Sequence, residues 1–499
     1  MVETQKYLSH KFIKPNSVES RDYQINLADG AKKENSLIVL PTGLGKTTIA
    51  LQVIADYLQK ATGGVLFLAP TRVLVNQHYE FLKENLLIED IGIVTGEDLP
   101  QKRKKKWMNS VICATPEITR NDLKSNIVSS DQFNLVIFDE AHRTVGDYAY
   151  SQIVDYIQGN NIRILGMTAT LPSEKEKATE IITKLRIQNL LQRSDDSPDV
   201  KPYVQETDTE WVRVELPGEM KAIQSCLSLA LDERYITLRR NGLRLSDNKS
   251  LSQLLNSRQY VLTQNRRSAK PLFTAIRITY ALNIFEAHGI TPFLEFCKRT
   301  QNKKGVGIKE LFEVDPNFTR AINLAKKEQL KGYEHPKINK LIEILRNEES
   351  KVLIFSSYRD SVNVIHKKLV ELGVDAEILI GKAGETGLKQ EKQIETVQRF
   401  RDGITKALVA TRVGEEGLDI SEVNLVIFYD NVPSSIRFVQ RKGRTGRKDK
   451  GRLVVLIAKN TIDEKYYFIG KRKIESAKNM GKKLSTQLEN SEKSLDDFF

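Results

Sequence analysis

Short aliphatic runs, each bounded by turn residues, recur along two stretches of the chain. They are apolar on consecutive positions, which is typical of parallel strands covered by helices on both faces. In the first stretch the runs are Leu37–Leu40, Val65–Leu68, Ile91–Val94, Val111–Ala114, Leu135–Phe138 and Ile162–Leu165. In the second they are Val352–Phe355, Ile378–Ile380, Ala407–Ala410, Leu425–Phe428 and Leu453–Ile457. Helical patterns separate the runs, so the sequence predicts two doubly wound α/β units that bind ligands at the carboxyl edges of their sheets.

The stretch between the two α/β units has a different pattern. Residues 201–335 show Leu, Ile and Ala at helical spacings and no aliphatic strand run. Between 221 and 280, basic residues far outnumber acidic ones. We therefore expect an inserted helical domain with a basic face; a solvated helix pair that merely joins the two units is the alternative.

Charge and composition narrow the class of partner. The 499 residues exceed what one hydrophobic core organises, and the net charge of +13 favours a polyanionic partner such as nucleic acid over simple solubility. The three cysteines are widely spaced, which argues against a disulfide framework or a zinc site. Because no stretch resembles a signal segment or a membrane span, we expect a cytoplasmic protein with no membrane partner.

A glycine-rich loop, Pro41–Thr48, follows the first aliphatic run and precedes a helical pattern. Glycines let backbone amides approach phosphate oxygens, and the helix N-terminus adds partial positive charge. In such a loop Lys46 can reach the β- and γ-phosphates, and the Thr47 hydroxyl can ligate Mg²⁺. Leu40 stands where the general pattern has its first glycine. The loop predicts an ATP and Mg²⁺ site formed by Thr42, Gly43, Gly45, Lys46, Thr47 and Thr48.

Two adjacent carboxylates, Asp139 and Glu140, follow the run Leu135–Phe138. We expect Asp139 to hold Mg²⁺ and Glu140 to orient and deprotonate the attacking water. A charge pair at a helix N-terminus is the alternative, which the preceding glycine loop and the nearby His142 disfavour.

Two arginines of the second unit, Arg444 and Arg447, are spaced to reach across a cleft. A guanidinium placed on the γ-phosphate stabilises the charge that develops during transfer, an effect of roughly 10³–10⁵ in rate. Because Lys46 and Asp139 belong to the first unit, catalysis would require the units to close on each other. Contact with a nucleic-acid backbone is the alternative role of these arginines.

These motifs resemble the conserved set of the superfamily 2 helicases. Pro41–Thr48, Asp139–His142 and Thr168–Thr170 resemble motifs I, II and III, and Gln440–Arg447 resembles motif VI. The resemblance implies further nucleotide contacts by Arg21, Gln24, Gly417, Asp419 and Gln440. It also implies sequence-independent, salt-sensitive contacts with the nucleic-acid backbone by Thr71, Arg72, Thr95, Gly96, Thr115, Ser356 and Thr411.

Three details resemble one group within this superfamily. The box Asp139–His142 reads Asp-Glu-Ala-His, a helical insertion separates the units, and His335–Lys337 precedes the second unit. The group contains archaeal Hef and the related Fanconi anaemia group M and Mph-type DNA translocases. The resemblance implies two RecA-like parallel-sheet domains with a helical domain between them. The implied divisions are an ATP-binding domain at 1–200, a nucleic-acid grip at 201–335, a second RecA-like domain at 336–470 and a flexible tail at 471–499.

The last residues, Ser491–Phe499, place Leu495, Phe498 and Phe499 on one face of a helical turn. This resembles the sliding-clamp (PCNA) binding peptide, although Glu492 stands where that peptide has glutamine. Docking of the tail on its own protein is the alternative. Many Hef proteins carry an XPF-type nuclease, and since no such signature is found here, we expect any nuclease to be a separate polypeptide.

Taken together, these features predict an ATP-dependent DNA helicase or translocase acting on forked or branched DNA in replication-fork repair. If the source is archaeal, we expect the protein to be associated with the nucleoid. One alternative is an RNA-directed motor similar to the Dicer helicase and the RIG-I-like sensors, because backbone contacts barely distinguish the two nucleic acids. Another is an ATP-gated DNA-binding scaffold tethered to the sliding clamp.

Overall fold

The computed structural model describes residues 6–60, 63–157, 162–204, 207–381, 387–414, 423–444 and 451–496. The side chains of Gln390 and of residues 489–496 are outside that description. The described chain forms two parallel sheets and a separate group of helices. In this part of the chain, no helix is both long enough and apolar enough to cross a bilayer.

The first sheet contains seven described strands, all parallel, in the order β3-β4-β2-β5-β6-β1-β7. They are β1 Ser36–Val39, β2 Gly64–Leu68, β3 Ile91–Val94, β4 Val111–Ala114, β5 Phe133–Asp139, β6 Arg163–Thr168 and β7 Asn189–Gln192. The helices are α1 Asp22–Ala31, α2 Lys46–Lys60, α3 Arg72–Asn85, α4 Pro100–Lys106, α5 Pro116–Lys124, α6 Ala149–Tyr156 and α7 Lys175–Lys184. Ile38 of β1 packs in one core cluster while Leu37 and Val39 pack in another, so helices cover both faces, as predicted.

The helical segment has its own hydrophobic core. Its helices are α8 Gly218–Arg240, α9 Leu251–Asn256, α10 Arg258–Gln264, α11 Ala269–His288, α12 Ile290–Gln301 and α13 Pro316–Leu330. The core joins Leu227 of α8, Phe285 of α11, Phe293 of α12 and Phe318 of α13. This separate core makes the segment a folding unit rather than a simple connector.

The second sheet has the strand order β10-β11-β9-β12-β13-β8 among the described residues. Its strands are β8 Thr207–Val214, β9 Val352–Phe355, β10 Ala376–Leu379, β11 Ala407–Ala410, β12 Leu425–Phe428 and β13 Gly451–Ala458. The helices are α14 Pro336–Arg346, α15 Arg359–Glu371, α16 Gln390–Arg401, α17 Ser435–Lys442 and α18 Ile462–Asp496. The predicted fold class, two parallel-sheet α/β domains with an inserted helical domain, is therefore confirmed.

Strand β8 corrects the expectation that residues 201–335 are entirely helical. It pairs in parallel with β13, from Thr207 opposite Gly451 to Val214 opposite Ala458. As an edge strand it carries polar and partly exposed side chains, so no aliphatic run marks it in the sequence. The chain thus enters the second sheet before it leaves to form the helical segment.

Residues 471–499 were expected to form a helix followed by a flexible tail, and α18 continues through this stretch to Asp496. Leu484 is buried in a core cluster of the first domain, and Met480 and Leu488 pack against the same cluster. Lys473 pairs with Glu174 of the first domain at 2.9 Å. The apolar positions recur at helical spacing among lysines and serines, which obscure the pattern. This helix therefore begins on the second domain and contacts the first domain between Lys473 and Leu488.

One polar contact to a buried carboxylate and one exposed ion pair fasten the helical segment to the second domain. Glu286 of α11 accepts hydrogen bonds from the Gln224 side chain (2.7 Å) and from the backbone N–H of Ile462 at the start of α18 (2.6 Å). Arg299 of α12 makes a bidentate contact with Asp360 of α15, at 2.9 and 2.5 Å. Because removing the partner of a buried carboxylate is costly, the bond between Glu286 and Ile462 favours joint movement of the two units, and the exposed Arg299 pair adds less.

Candidate nucleotide-binding site and domain interface

The glycine loop connects β1 to α2, and its backbone needs glycine at two positions. Gly43 and Gly45 have φ of +85° and +78°, in the region that favours glycine. A Cβ at Gly45 would lie 2.3 Å from Nε2 of Gln24, so space as well as conformation excludes a side chain there. Helix α2 begins at Lys46, and its N-terminus follows the loop directly, an arrangement suited to binding phosphate.

Two side chains of α1 hold the loop from the side. The Tyr23 hydroxyl and Nε2 of Gln24 both donate to the carbonyl of Leu44, at 2.8 and 3.1 Å. The Oε1 atom of Gln24 is buried and accepts no hydrogen bond from the residues described. Since buried acceptors are rarely left without a donor, this oxygen is suited to a ligand amine. Arg21 lies 5.2 Å from the Tyr203 ring centroid and pairs with Glu19 at 3.5 Å.

Asp139, at the end of β5, lies beside Lys46. Lys46 Nζ donates to the carbonyl of Leu40 at 3.0 Å, and Asp139 Oδ2 lies 2.9 Å from Nε2 of His78. Burial alone would raise the pKa of Asp139, but the hydrogen bond with His78 and the charge of Lys46 outweigh it and hold the pKa below its ordinary value. The Tyr150 hydroxyl donates to the Asp139 carbonyl at 2.7 Å. The carboxylate is therefore ionised at neutral pH and fixed in position.

Glu140 has a strained backbone and a polar atom without a hydrogen bond. Its φ of +51° is in the left-handed region, where a side chain is disfavoured. Its Oε2 lies 3.3 Å from Nδ1 of His142 but makes no hydrogen bond within the described structure. His142 Nδ1 instead donates to Oγ1 of Thr168 (3.1 Å), which donates to the Thr170 carbonyl (3.0 Å). This series links the acidic box to the segment Thr168–Thr170.

The second domain contacts the glycine loop through the end of α17. A Cβ at Gly443 would lie 1.5 Å from Oγ1 of Thr42, so the Thr42 side chain packs directly against the Gly443 backbone. The neighbouring Gln440 is buried, and both of its side-chain amide atoms are without hydrogen-bond partners among the residues described. Arg444 lies at the same helix end, partly buried. Arg447, Gly417 and Asp419 lie outside the described residues.

Arg441 is fully buried in the second domain and holds α17 in place. Its Nη1 donates to the Asp430 carbonyl (2.9 Å), and its Nη2 donates to Oγ of Ser357 (3.2 Å). Its guanidinium lies 5.3 Å from the ring centroid of Phe355. The sequence motifs give this residue no separate role. The structure gives it the task of fixing the helix that ends at Gly443.

The predicted nucleic-acid contacts of the first domain lie together at one sheet edge. They follow the carboxyl ends of β2, β3 and β4, which are adjacent strands: Thr71, Arg72, Thr95, Gly96 and Thr115. Thr71 caps α3 by accepting from the Leu74 N–H, and Arg72 pairs with Glu97 at 2.5 Å. In the second domain Ser356 and Thr411 follow β9 and β11; both are buried, and Ser356 Oγ has no partner among the described atoms.

His78 is one of the residues at this site that the sequence motifs do not mark. The only sign of its role in the sequence is its position on the buried face of α3. A lone histidine at such a position is usually interpreted as a residue of the hydrophobic core. Its partner Asp139 follows much later in the chain, so the contact is visible only in the folded protein.

Comparison with known proteins identifies the family of the chain. Residues 3–173 match the family described as "Type III restriction enzyme, res subunit", and residues 336–449 match the helicase conserved C-terminal domain. Together with the two parallel sheets and the glycine loop at their interface, these matches define the motor core of a superfamily 2 helicase. The crystal structure of the Pyrococcus furiosus Hef helicase domain is similar to this chain, with 36% identity and a TM-score of 0.66, and the match covers 90% of this chain and 97% of that one. The chain belongs to the Hef and Mph-type group of superfamily 2 helicases.

Three curated relatives extend over the same region of the chain. The ATP-dependent DNA helicase MPH1 of Pyricularia oryzae is 33% identical, covering 89% of this chain and 44% of that protein. Fml2 of Schizosaccharomyces pombe, named as an ATP-dependent DNA helicase, is 31% identical over 95% of this chain and 65% of its own length. A Methanocaldococcus jannaschii protein named as an ATP-dependent RNA helicase is 37% identical, with 92% and 60% covered. The chain therefore spans less than two thirds of each of these relatives.

Proposed function

We propose that this chain is an ATP-dependent helicase or translocase that acts on forked or branched DNA in replication-fork repair. The observation that carries the proposal is the close approach of Gly443 in the second domain to Thr42 in the glycine loop of the first. A nucleotide bound by the loop would touch both domains, so its hydrolysis would change how they fit together. The relatives named as DNA helicases support DNA as the substrate.

The residues of the glycine loop and the acidic box fit Mg²⁺–ATP. Gln24 offers a buried acceptor for the adenine amine, and Asp139 has a lowered pKa suited to a cation. Thr47 and Asp139 would hold Mg²⁺, which neutralises charge on the phosphates when it is bound. The remaining nucleotide contacts stay as proposed from the sequence: Arg21, Thr42, Gly43, Gly45, Lys46, Thr48, Gly417, Asp419 and Gln440.

Catalysis is assigned to groups on both domains. Glu140 would orient the attacking water, since its carboxylate oxygen Oε2 is buried and without a hydrogen bond among the described residues. Lys46 would stabilise the transferring phosphoryl group from the first domain, and Arg444 and Arg447 would do so from the second. The arginine contribution would depend on domain closure, which is how hydrolysis would drive movement.

The helical segment, attached to the second domain, would serve as the nucleic-acid grip. Several of its basic residues are engaged in ion pairs, including Arg234 with Asp315 and Arg239 with Asp247. Arg240 is exposed and stands at the end of α8. Glu286 and Arg299 bond the segment to the second domain. Domain closure would therefore move the basic face of the segment relative to the predicted nucleic-acid contacts of the first domain.

The test is an ATPase assay with forked DNA, duplex DNA, single-stranded DNA and double-stranded RNA, with Lys46→Ala as the blank. We expect forked DNA to stimulate hydrolysis most, and stimulation to fall with salt because phosphate contacts dominate binding. A labelled fork in the same reactions would distinguish strand separation from movement alone. Stimulation by RNA alone would overturn the proposal and favour the RNA-directed alternative, in line with the name of the Methanocaldococcus jannaschii relative.

We also propose that the chain binds a sliding clamp through Leu495, Phe498 and Phe499, which lie outside the described side chains. The sequence pattern supports this contact, and a separate XPF-type nuclease stays a proposed partner. Replacing both phenylalanines with alanine should abolish capture of the full chain on immobilised clamp while ATPase activity is retained. Clamp capture that survives the replacement would refute the contact.

A further inference from the structure

One histidine outside the known motifs contacts the acidic box directly. His78 is 7% exposed, and its ring lies against Phe67 of β2 with centroids 4.4 Å apart. Its Nε2 is 2.9 Å from Oδ2 of Asp139, which is 6% exposed. Because an ionised carboxylate only accepts hydrogen bonds, Nε2 is the donor. The ring is thus fixed by Phe67 and in turn fixes one oxygen of the carboxylate.

The helix that carries His78 also reaches the nucleic-acid edge and the second domain. Thr71 caps the start of α3, and His78 lies seven residues further on, about 10 Å along the helix axis. Val73 on the same helix packs against the core of the second domain. A single short helix therefore connects the predicted DNA contacts, the partner domain and the carboxylate at the ATP site.

We propose that His78 is a positioning residue that sets the orientation of the Asp139 carboxylate toward Mg²⁺–nucleotide. The inference rests on the proposed role of Asp139 in holding Mg²⁺. Groups that orient a ligating carboxylate typically change metal affinity 10- to 100-fold when they are removed, without touching the metal. Since His78 is part of α3, a movement of that helix on DNA binding or domain closure would shift the Asp139 carboxylate through their hydrogen bond.

Two polar substitutions separate positioning from simple packing. His78→Gln places an amide nitrogen as many bonds from the backbone as Nε2, so it can still donate to Asp139. His78→Asn also keeps an amide but is one carbon shorter and cannot reach. The matched control is His366→Asn on α15, where Nε2 bonds the Ala376 carbonyl in the second sheet, away from the nucleotide loop.

The experiment uses the full chain, a fluorescent ADP analogue and a titration with MgCl₂. We expect His78→Asn to raise the half-saturating Mg²⁺ concentration for tight nucleotide binding by about 10-fold or more, and His78→Gln by much less. His366→Asn should match the wild-type chain, and nucleotide binding without Mg²⁺ should be equal in all variants. Thermal melts of each variant establish that the chain is folded.

An unchanged Mg²⁺ requirement in His78→Asn would overturn the inference. Equal shifts in His78→Asn and His78→Gln would overturn it as well, because the donor at the Nε2 position would then have no effect. Asp139→Asn serves as the reference. If that substitution leaves the Mg²⁺ dependence intact, the proposed role of Asp139 fails; if it abolishes the dependence while His78→Asn has no effect, only the inference about His78 fails.

Discussion

Each of the two sheets contains a strand with the same four-residue sequence and an aspartate shortly after it, but the two aspartates have different surroundings. Leu135–Phe138 in β5 and Leu425–Phe428 in β12 both read Leu-Val-Ile-Phe. Asp139 follows the first directly, and Asp430 follows the second after Tyr429. Both aspartates are buried, and opposing interactions hold the pKa of each below its ordinary value despite that burial.

The difference lies in what surrounds each carboxylate. Asp430 accepts the backbone N–H of Ser357 (2.8 Å), and Arg441 supplies the nearest compensating charge, so it stabilises the second domain internally. Asp139 has His78 on one side and lies next to Lys46 in the glycine loop. A carboxylate after a buried strand can thus stabilise the core, as Asp430 does, or lie beside the glycine loop, where the catalytic role proposed for Asp139 becomes possible.

The largest effect should come from removing the charge at the first of these positions. Asp139→Asn should lower the ATPase kcat with saturating forked DNA by about 10²–10³-fold, because a preorganised charge at the reacting phosphates is lost. The melting temperature should change little, since the amide keeps an acceptor for His78. Steady-state ATPase and a thermal melt check both expectations. Retention of more than a tenth of the activity would contradict the contrast between the two aspartates.

The corresponding change in the second domain should act on stability instead. Asp430→Asn leaves an acceptor for the Ser357 N–H but removes the charge that offsets Arg441, so we expect a loss of about 1–3 kcal/mol in unfolding free energy. Urea unfolding measures this loss. ATPase at a temperature well below the melt should fall less than tenfold. A large activity loss in a fully folded variant would mean that both aspartates act in catalysis.

The neighbourhood of Asp430 should also make the contact between the helical segment and the second domain sensitive to acid, through His288 of α11. Burial lowers the pKa of His288 to about 4, from about 6.5 in an unfolded chain. Between these values the unfolded state binds more protons, so the contribution of His288 to stability falls as the pH is lowered, by about 1–2 kcal/mol from pH 7 to pH 5. Urea midpoints at the two pH values measure the slope. His288→Phe keeps an aromatic ring beside Tyr358 and should flatten it; an equal slope in both proteins would contradict this assignment.

The smallest effect is expected where α18 crosses from one domain to the other through exposed charges. Lys473→Ala removes a partly exposed pair with Glu174, a contact worth about 0–1 kcal/mol that salt screens. Buried apolar contacts such as that of Leu484 should keep the helix on the first domain. Thermal melts of the wild-type chain and the variant at low and high salt measure the change in stability. A loss of stability well above 1 kcal/mol would mean that the ion pair, and not the apolar contact, holds the helix on the first domain.

The sequence by itself determined the local elements of this protein. Consecutive aliphatic residues marked most strands of both sheets, and the glycine loop and acidic pair marked one edge of the first sheet, because backbone conformation and burial on both faces are set by neighbouring residues. The segment 201–335 was correctly read as mainly helical for the same reason. Its first strand was missed, since the polar edge strand β8 has no such local pattern.

Only the tertiary structure decided the contacts between distant parts of the chain. The pairing of β8 with β13, the docking of α18 on the first domain and the approach of Gly443 to Thr42 all join residues hundreds of positions apart. The bond between His78 and Asp139 likewise depends on which strands are neighbours in the sheet. Such contacts follow from how whole layers pack, and packing has no signature in a short stretch of sequence.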